Sequence, residues 1–380
     1  FKLISAKKTY RLDRPATIAI VGSGFSGTMV AVNLARLGMA GLRVLLFERG
    51  KKLARGAAYD SESKERLLNV PARLMSAFPD RLDHFIDWLH ARDPEIDPAA
   101  FVSRSLYGEY LESLLRDARR KAGSRLSVVR DQVIDAVEEP TGRLTLKTDQ
   151  GSRYGADAVV LALGNPPPHD FLNVPEDLRA NGCYRNNPWS ADPFEGLDPA
   201  DPVGIVGTGL TMGDLVLESE ARGRTGPITA ISRHGLLPQP HRAVNAVAAP
   251  LFPSDDRPAT LLELFRAVRA SARRMEQSGG DWRAVIDALR PETQTLWKSL
   301  NIVEKERFLR HLAVHWDTHR HRVSAKAHEI LTTAREAGRL SILAARVQTV
   351  EADGANGLRI TAQARGGRSS VSLAARRLIN

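Results

Sequence analysis

Two glycine-rich loops, each set between an apolar strand and a helix, constrain the fold of this chain more than any other feature. The first loop, Gly22-x-Gly24-x-x-Gly27, follows the apolar run at residues 16–21, and the next apolar run, at residues 43–47, ends at Glu48. Glycines at this spacing make a tight turn, let the backbone approach a pyrophosphate and allow the helix to pack on the strand. The pattern predicts a βαβ unit that binds a dinucleotide, with Glu48 accepting hydrogen bonds from ribose hydroxyls. A structural glycine turn without a ligand is the alternative.

The second loop, Gly207-x-Gly209, follows the apolar run at residues 203–206 and has the same strand, loop and helix pattern with one difference. Met212 occupies the third glycine position, and Gly213 comes one residue later. Close packing of this helix must therefore be arranged differently.

The two units also differ at the end of the second strand. Arg233, preceded by Ser232, stands as far beyond Gly207 as Glu48 stands beyond Gly22. A carboxylate repels a ribose 2′-phosphate, whereas arginine and serine bind it. The first site is therefore predicted to prefer a free ribose and the second NADPH. A solvated surface charge is the alternative for Arg233.

Two dinucleotide sites in one chain indicate an electron relay in which a nicotinamide delivers hydride to a resident group. FAD is the predicted resident at the first site, because NAD beside NADPH would serve only transhydrogenation. Cys183 is the single cysteine. The chain therefore lacks the redox-active thiol pair of disulfide reductases.

The net charge of +10 attracts anions in general. The arginine-rich stretches at residues 116–120 and 269–274 lack the interleaved aromatic residues of single-strand binders, so no nucleic-acid partner is predicted. The longest apolar runs, such as residues 158–163, are far shorter than the roughly 20 residues that span a bilayer. A soluble, cytoplasmic protein without a membrane partner is predicted.

Three histidines, His311, His315 and His319, recur at helical spacing and could bind a metal ion. Four arginines in the same stretch would repel a cation: Arg307, Arg310, Arg320 and Arg322. We predict no metal site. A basic face toward the NADPH phosphates or an anionic substrate, and a solvated or structural role, both remain open.

An internal repeat runs through both halves of the chain. The strand-like segments at residues 133–138, 143–148 and 158–164 have counterparts at residues 347–351, 358–362 and 374–380. The second copy stops where its small-residue turn is expected, which we interpret as truncation of a longer protein. The first residue, Phe1, suggests trimming at the other end.

Further motifs make a family resemblance specific. They are Gly56-Ala-Ala-Tyr59, residues 67–72 with Met75-Ser76, residues 206–214, residues 232–238 and residues 316–322. Together they resemble the bacterial FAD/NAD(P)-binding proteins that include FAD-dependent urate hydroxylase. More distantly, the chain is similar to the ornithine and lysine N-hydroxylating monooxygenases.

The resemblance implies an α/β, two-dinucleotide-binding (Rossmann-like) flavoprotein fold, in which the NAD(P) domain is inserted into the FAD domain. Residues 14–165 would form the first part of the FAD-binding domain, with a loop and helix insertion at residues 55–125. Residues 200–255 would bind NAD(P), and residues 256–337 would form a helical insert. Residues 338–380 would be return strands of the FAD domain.

The resemblance also assigns site residues. For FAD they are Gly22, Gly24, Phe25, Ser26, Gly27, Glu48, Arg49, Asn69, Met75, Ser76, Val133 and Gly164. For NADPH they are Gly207, Thr208, Gly209, Leu210, Thr211, Asp214, Ser232 and Arg233.

These assignments lead to the hypothesis of an NADPH-dependent FAD monooxygenase that acts on a small nitrogenous or anionic substrate with dioxygen. Asn69 would orient a group at the flavin ring, and His241 would transfer a proton or anchor the substrate. A flavin reductase or oxidase without oxygenation, and a non-enzymatic nucleotide sensor, are the alternatives.

Overall fold

The computed structural model describes residues 11–60, 63–166, 168–189, 192–244, 251–252, 258–354, 356–367 and 369–380, without the side chains of residues 11–13. The chain divides into two compact units, Phe1–Pro168 and His169–Asn380. Within the described part, no helix combines the length and the apolar character that crossing a membrane requires.

The first unit is built on a four-stranded parallel sheet with the strand order β3-β2-β1-β7. Its strands are β1 (Arg11–Val21), β2 (Ala40–Phe47), β3 (Leu126–Val129) and β7 (Ala158–Leu161), and helix α1 (Phe25–Arg36) joins β1 to β2. A separate antiparallel sheet contains β4 (Val133–Glu138), β5 (Leu144–Thr148) and β6 (Arg153–Ala156). Ile20, Leu46 and Phe47 are almost completely buried, as expected for strands of a parallel sheet that is covered on both faces.

The described part of the predicted insertion of the first unit contains three α-helices: α2 (Gly56–Tyr59), α3 (His84–His90) and α4 (Arg104–Ala122). Helix α4 begins where the Ser103 side chain accepts a hydrogen bond from the Leu106 N–H (3.2 Å). It ends before Gly123, whose φ of 58° breaks the helical path. Its apolar stripe, including Tyr107, Tyr110 and Leu111, packs into the same core as α1.

The second unit contains a seven-stranded sheet with the order β13-β12-β11-β10-β9-β14-β8. Its strands are β8 (Tyr184–Arg185), β9 (Val203–Val206), β10 (Ile228–Ser232), β11 (Leu340–Ala352), β12 (Leu358–Ala364), β13 (Ser370–Ala375) and β14 (Arg377–Ile379). Helix α5 (Glu176–Ala180) precedes β8, and α6 (Leu210–Ala221) joins β9 to β10. The stretch between the two predicted nucleotide-binding domains thus supplies an edge strand, β8.

The described residues between β10 and β11 contain six helices: α7 (Leu261–Gln277), α8 (Trp282–Ala288), α9 (Thr293–Ser299), α10 (Ile302–His311), α11 (Ala313–Arg320) and α12 (Ala325–Glu336). Helix α12 belongs with the sheet, because its Ala327, Leu331 and Ala334 share a core with Leu215 and Val216 of α6. The helical insert proper is therefore α7–α11, shorter than the predicted 256–337. Its predicted start, between residues 255 and 256, lies outside the described residues.

The final strands differ in placement from the sequence expectation. Strand β11 pairs in parallel with β10, and β14 pairs in parallel with β9 through Leu378 and Gly204. Residues 338–380 thus complete the sheet of the second unit, and the expectation that they return to the first domain does not hold. The repeat itself is present, because β14 follows the β11–β13 meander and borders β9 as β7 follows the β4–β6 meander and borders β1.

Candidate functional site

The first glycine-rich loop lies at the carboxyl ends of β1 and β7, where the strand order of the sheet reverses and where open α/β sheets bind ligands. Gly22 has a φ of 99°, and a Cβ built on it would lie 2.3 Å from the Ala162 carbonyl oxygen. A Cβ on Gly27 would lie 1.9 Å from the Gly22 carbonyl oxygen. Only glycine fits at either position, which holds the start of α1 tightly against β1.

The start of α1 can receive an anion. No side chain caps the helix at Gly24, so its first N–H groups are free of such a competitor. Phe25, which is 39% exposed, stacks on Tyr107 with ring centroids 6.4 Å apart, while the neighbouring Ser26 is exposed. The geometry fits a pyrophosphate.

Glu48 closes this site from the end of β2. Its carboxylate accepts hydrogen bonds from the Ser23 N–H (3.1 Å), the Ser23 hydroxyl (2.7 Å) and the Gly50 N–H (2.7 Å). An ionised carboxylate offers about four lone-pair positions, so about one remains for a ribose hydroxyl unless the Ser23 hydroxyl rotates away. Arg49 is exposed directly beside it.

Ser23 and Ala54 are parts of this site that the sequence analysis did not single out. Ala54 is fully buried at a φ of 66°, a left-handed conformation that is costly for alanine, and its N–H points to the Ser23 hydroxyl (3.4 Å). This strained turn brings the Cα of Gly56 to within 3.6 Å of a Cβ built on Gly24. The position of Ser23 inside the glycine motif was a usable signal, whereas nothing local marks Ala54.

The remaining residues assigned to the flavin lie in the same unit. Asn69 is exposed, and Met75 packs against the main core. The Ser76 hydroxyl donates to the Arg81 carbonyl (2.6 Å) and accepts from the Phe78 N–H (3.1 Å), so it is engaged within its own turn. Val133 begins β4 and packs beside Phe47.

Gly164 follows β7 with a φ of 71°. Among the described residues, none lies within 4 Å of a Cβ built on it, in contrast to Gly22. Its small size is therefore not required by the packing of this unit.

The second glycine-rich loop has the same place in its sheet but a looser fit. Gly207 has a φ of 103°, yet no described residue lies within 4 Å of a Cβ built on Gly207 or Gly209. Met212, at the third glycine position, is buried in the core under α6. The loop and the start of α6 border a cavity of about 260 Å³ whose wall also contains Pro188, Leu210, Thr211 and Asn380.

Pairing of β14 and β8 with β9 places Asn380 and Pro188 beside this loop, which no local pattern predicts. The start of α6 has no side-chain cap at Gly209 and no acidic residue in its first turn. Asp214 lies one turn further along and is half-buried. The cavity thus combines free helix N–H groups with space for a phosphate.

Thr208 and Ser232 connect the loop to the end of β10. The Thr208 hydroxyl donates to the Leu236 carbonyl (2.5 Å), and the two hydroxyls lie 2.9 Å apart. Since a hydroxyl has one proton, Ser232 must donate to Thr208, and it accepts from the Gly235 N–H (3.0 Å). Ser232 therefore fixes the loop, and its proton is not available to a phosphate.

Arg233 is exposed at the end of β10, and among the described residues it has no ion-pair partner within 4 Å. The next residue, His234, has a buried Nδ1 atom without a hydrogen-bond partner. Burial, followed by the positive charges of Arg365 and Arg233, lowers the pKa of His234. The end of β10 is thus a positively charged environment that suits a 2′-phosphate.

His241 lies further along the segment that follows β10. Its backbone N–H donates to the Val323 carbonyl (2.8 Å), which holds the backbone in place, and its side chain is half-buried. Asn69 and His241 lie in different units of the chain.

The histidine stripe is interrupted. Helix α10 ends at His311, and α11 begins at Ala313, so His311 does not share a continuous helix with His315 and His319. The described residues contain no group of three or more histidine, cysteine, aspartate or glutamate side chains that could hold a metal ion.

Comparison with known proteins places these features in context. Residues 19–166 match the model of a protein family described as FAD-NAD(P)-binding. No curated protein sequence matches the chain.

Solved structures match nearly the whole chain. The reduced form of ornithine hydroxylase from Pseudomonas aeruginosa is 15% identical, with a TM-score of 0.59 over 96% of this chain and 81% of that chain. Ornithine N-hydroxylase from Kutzneria sp. 744 is 18% identical, with a TM-score of 0.57 over 96% of this chain and 80% of that chain. The cadaverine monooxygenase from Erwinia amylovora is 11% identical, with a TM-score of 0.59 over 97% of this chain and 78% of that chain.

At these identities the similarity establishes the fold. The predicted α/β, Rossmann-like class is confirmed, and so is the distant likeness to N-hydroxylating monooxygenases at the level of the fold. The more specific resemblance to urate hydroxylase stays a prediction.

Proposed function

We propose that the chain is an NADPH-dependent, FAD-containing monooxygenase that hydroxylates a small nitrogenous or anionic substrate. The observation that carries the proposal is the pair of glycine-rich loops at equivalent sheet positions, closed by Glu48 in one unit and by Arg233 in the other. A carboxylate suits the free ribose of FAD, and a guanidinium suits the 2′-phosphate of NADPH.

In the first unit, Gly22, Gly24 and the first turn of α1 would hold the FAD pyrophosphate, and Glu48 would accept from the ribose. When bound, the flavin supplies the redox chemistry, taking hydride from NADPH and activating dioxygen for transfer of one oxygen atom. Asn69 would orient a group at the flavin ring.

In the second unit, Gly207, Gly209 and the start of α6 would hold the NADPH pyrophosphate. Arg233 would donate to the 2′-phosphate, while Thr208 and Ser232 keep the segment after β10 in position. His241 would anchor the substrate or transfer a proton.

The similar structures support this assignment. The Kutzneria structure is described with reduced FAD, NADP⁺ and L-ornithine, and the Erwinia structure with FAD. Ornithine and cadaverine are small amines, which supports a nitrogenous substrate such as an amine or, as in urate hydroxylase, a purine. The proposal includes a cytoplasmic location. It includes no nucleic-acid partner, because the phosphates of the two dinucleotides are anions that the excess positive charge can bind.

A product assay tests the proposal. The purified chain would be supplied with FAD and NADPH in air, together with amines, diamines, basic amino acids or purines. At least one compound should accelerate NADPH oxidation, gain one oxygen atom by mass spectrometry and lower the yield of hydrogen peroxide. Peroxide as the only product with every compound would instead establish an NADPH oxidase, and failure to take up FAD would leave a nucleotide-sensing protein.

A further inference from the structure

The helical insert contains its own cavity of about 550 Å³, which the proposed redox chemistry does not use. Helices α7–α11 all contribute to its wall. The size falls within the roughly 300–1,000 Å³ range of small-molecule sites. All of its lining residues lie in the second unit.

One end of this cavity is apolar. Leu261, Leu264, Leu296 and Leu300 line it together with Trp297 and Phe308, whose rings meet edge to face at 5.6 Å. The first turn of α7 is fixed here, because the buried Glu304 carboxylate accepts from the Leu261 N–H (2.9 Å). Trp297 keeps 38% of its surface exposed, so the apolar end is open to solvent.

The other end carries charge. Along α7 the lining stripe passes from Leu261 through Val268 to Arg269, Arg273 and Glu276. At about 1.5 Å per residue, the apolar start and the charged end lie about 22 Å apart. His319 reaches the same end, where its ring packs against Trp282 at 4.8 Å.

These charges are not neutralised in pairs. Among the described residues, neither Arg273 nor Glu276 has an ion-pair partner within 4 Å, and the Arg269 guanidinium lies 5.5 Å from the Phe265 ring. The formal charges of Arg269, Arg273 and Glu276 add up to one positive charge. A ligand with one negative charge at one end and an apolar body complements this cavity.

We propose that the cavity binds a straight-chain carboxylate, with its acyl chain among the leucine and tryptophan side chains and its carboxylate at Arg269 and Arg273. Guanidinium groups pair with a carboxylate through two parallel hydrogen bonds, which favours this head group over a neutral alcohol. The proposal goes beyond the flavin chemistry and does not depend on it.

Tryptophan fluorescence measures the binding directly, because Trp282, Trp297 and Trp316 of the five tryptophans line the cavity. The full chain would be titrated with dodecanoate, dodecanol and dodecyltrimethylammonium. We expect saturable binding of dodecanoate, at least about tenfold weaker binding of the alcohol and weaker binding still of the cation. Equal affinity for the three compounds would overturn the proposal.

Variants on α7 test the orientation of the ligand. Arg269→Gln with Arg273→Gln should weaken dodecanoate about tenfold or more and leave dodecanol unchanged, whereas Glu276→Gln should tighten dodecanoate. Arg266→Gln is the matched control, because Arg266 is an exposed arginine of the same helix outside the lining. Equal weakening of dodecanoate binding by the double variant and by Arg266→Gln would contradict the proposed position of the carboxylate.

Ala272→Trp adds a large side chain to the cavity wall between Arg269 and Arg273 and should weaken binding of both dodecanoate and dodecanol. Circular dichroism reports whether this variant folds. If it does not fold, the variants that change the charges of α7 still test the proposal. Sedimentation of the wild-type chain completes the design. A dimer at the titration concentrations that binds no dodecanoate would show that a second copy covers the cavity and would overturn the proposal.

Discussion

Single residues at the ends of two equivalent strands distinguish the two candidate nucleotide sites. Glu48 is held by Ser23 and Gly50, and its position beside the helix start suits a ribose diol. Arg233 is exposed, and the Ser232 hydroxyl beside it is already used by Thr208. In the proposed NADPH site, the discrimination between NADPH and NADH would therefore depend on Arg233 alone, whereas the sequence pattern predicted a part for both residues.

Arg233→Ala should raise the KM for NADPH by about 10- to 100-fold, the size expected for loss of a charge-assisted hydrogen bond, and leave the KM for NADH nearly unchanged. Steady-state kinetics with both nucleotides measures this. Arg335→Ala removes an exposed arginine from α12 and serves as the control. Equal rises for NADPH and NADH in the Arg233 variant would show that Arg233 does not contact the 2′-phosphate.

Asp157, through its hydrogen bond to β1, should make the stability of the first unit depend on pH in the acid range. The Thr17 N–H donates to its carboxylate (2.8 Å), and this bond, with help from Arg143 and Arg14, keeps its pKa below the ordinary value of 3.8. The unfolded chain therefore binds more protons, so the stabilisation is present above about pH 4 and is lost as the pH falls below it.

Asp157→Asn tests this dependence. The variant should be less stable than the wild type near pH 6, and the difference should shrink toward pH 3, as measured by urea unfolding at each pH. If the difference in the free energy of unfolding between the wild type and the variant stayed constant with pH, the charge of Asp157 would not contribute to stability.

Among the secondary-structure elements, the two glycine-rich loops should differ in how a glycine-to-alanine substitution changes the stability of the protein. Gly27→Ala introduces a Cβ that lies 1.9 Å from the Gly22 carbonyl oxygen and should destabilise the protein by about 1–3 kcal/mol or more. Gly209 has an ordinary φ of −85°, and a Cβ at this position meets no atom of the described part of the chain within 4 Å, so the free Gly209→Ala protein should keep its stability.

If Gly209 lets the backbone approach a pyrophosphate, Gly209→Ala should nevertheless weaken NADPH binding. Thermal unfolding and NADPH titration of both variants separate the two effects. A Gly209 variant that binds NADPH normally would argue against a pyrophosphate at this loop.

Most elements could be predicted from the sequence because their signals are local. The apolar runs before Gly22 and Gly207 and the helices after them were predicted from the sequence, and the glycine motifs identified the turns. The break at Leu312 between α10 and α11 was missed, since no glycine or proline marks it. The pairing partners of β8, β11 and β14 could not be predicted either, because the local sequence pattern of a strand does not determine which other strand it pairs with.

The candidate site shows the same division. Gly22, Gly27 and Glu48 come together through one βαβ unit, whose geometry the motif determines. Pro188 and Asn380 reach the second loop only through pairing between distant strands. The sequence could therefore predict the turn that each glycine-rich loop makes, but not the residues from distant strands that complete the cavity beside the second loop.

At the scale of the whole molecule, the pairing of the final strands defines where a folding unit ends. Leu340, Ile360 and Leu378 are almost completely buried in the second unit. Each such side chain contributes about 1.5–3 kcal/mol, while a domain's net stability is about 5–15 kcal/mol. A fragment of residues 169–380 should therefore unfold cooperatively, and a fragment of residues 169–337 should not.

Circular dichroism during thermal unfolding distinguishes the two fragments. The shorter one corresponds to the sequence expectation that residues 338–380 belong to the first domain. A cooperative transition in the shorter fragment at the same temperature as in the longer one would contradict the sheet pairing described above.

Anaerobic mixing of the FAD-loaded protein with NADPH or NADH tests the central claim most directly, namely that one chain holds a flavin at the Glu48 loop and NADPH at the Arg233 loop. We expect the visible flavin band to be bleached, and at equal low concentrations NADPH should bleach it at least about tenfold faster than NADH. A colourless protein that takes up no FAD, or a bound flavin that NADPH does not reduce, would contradict the claim.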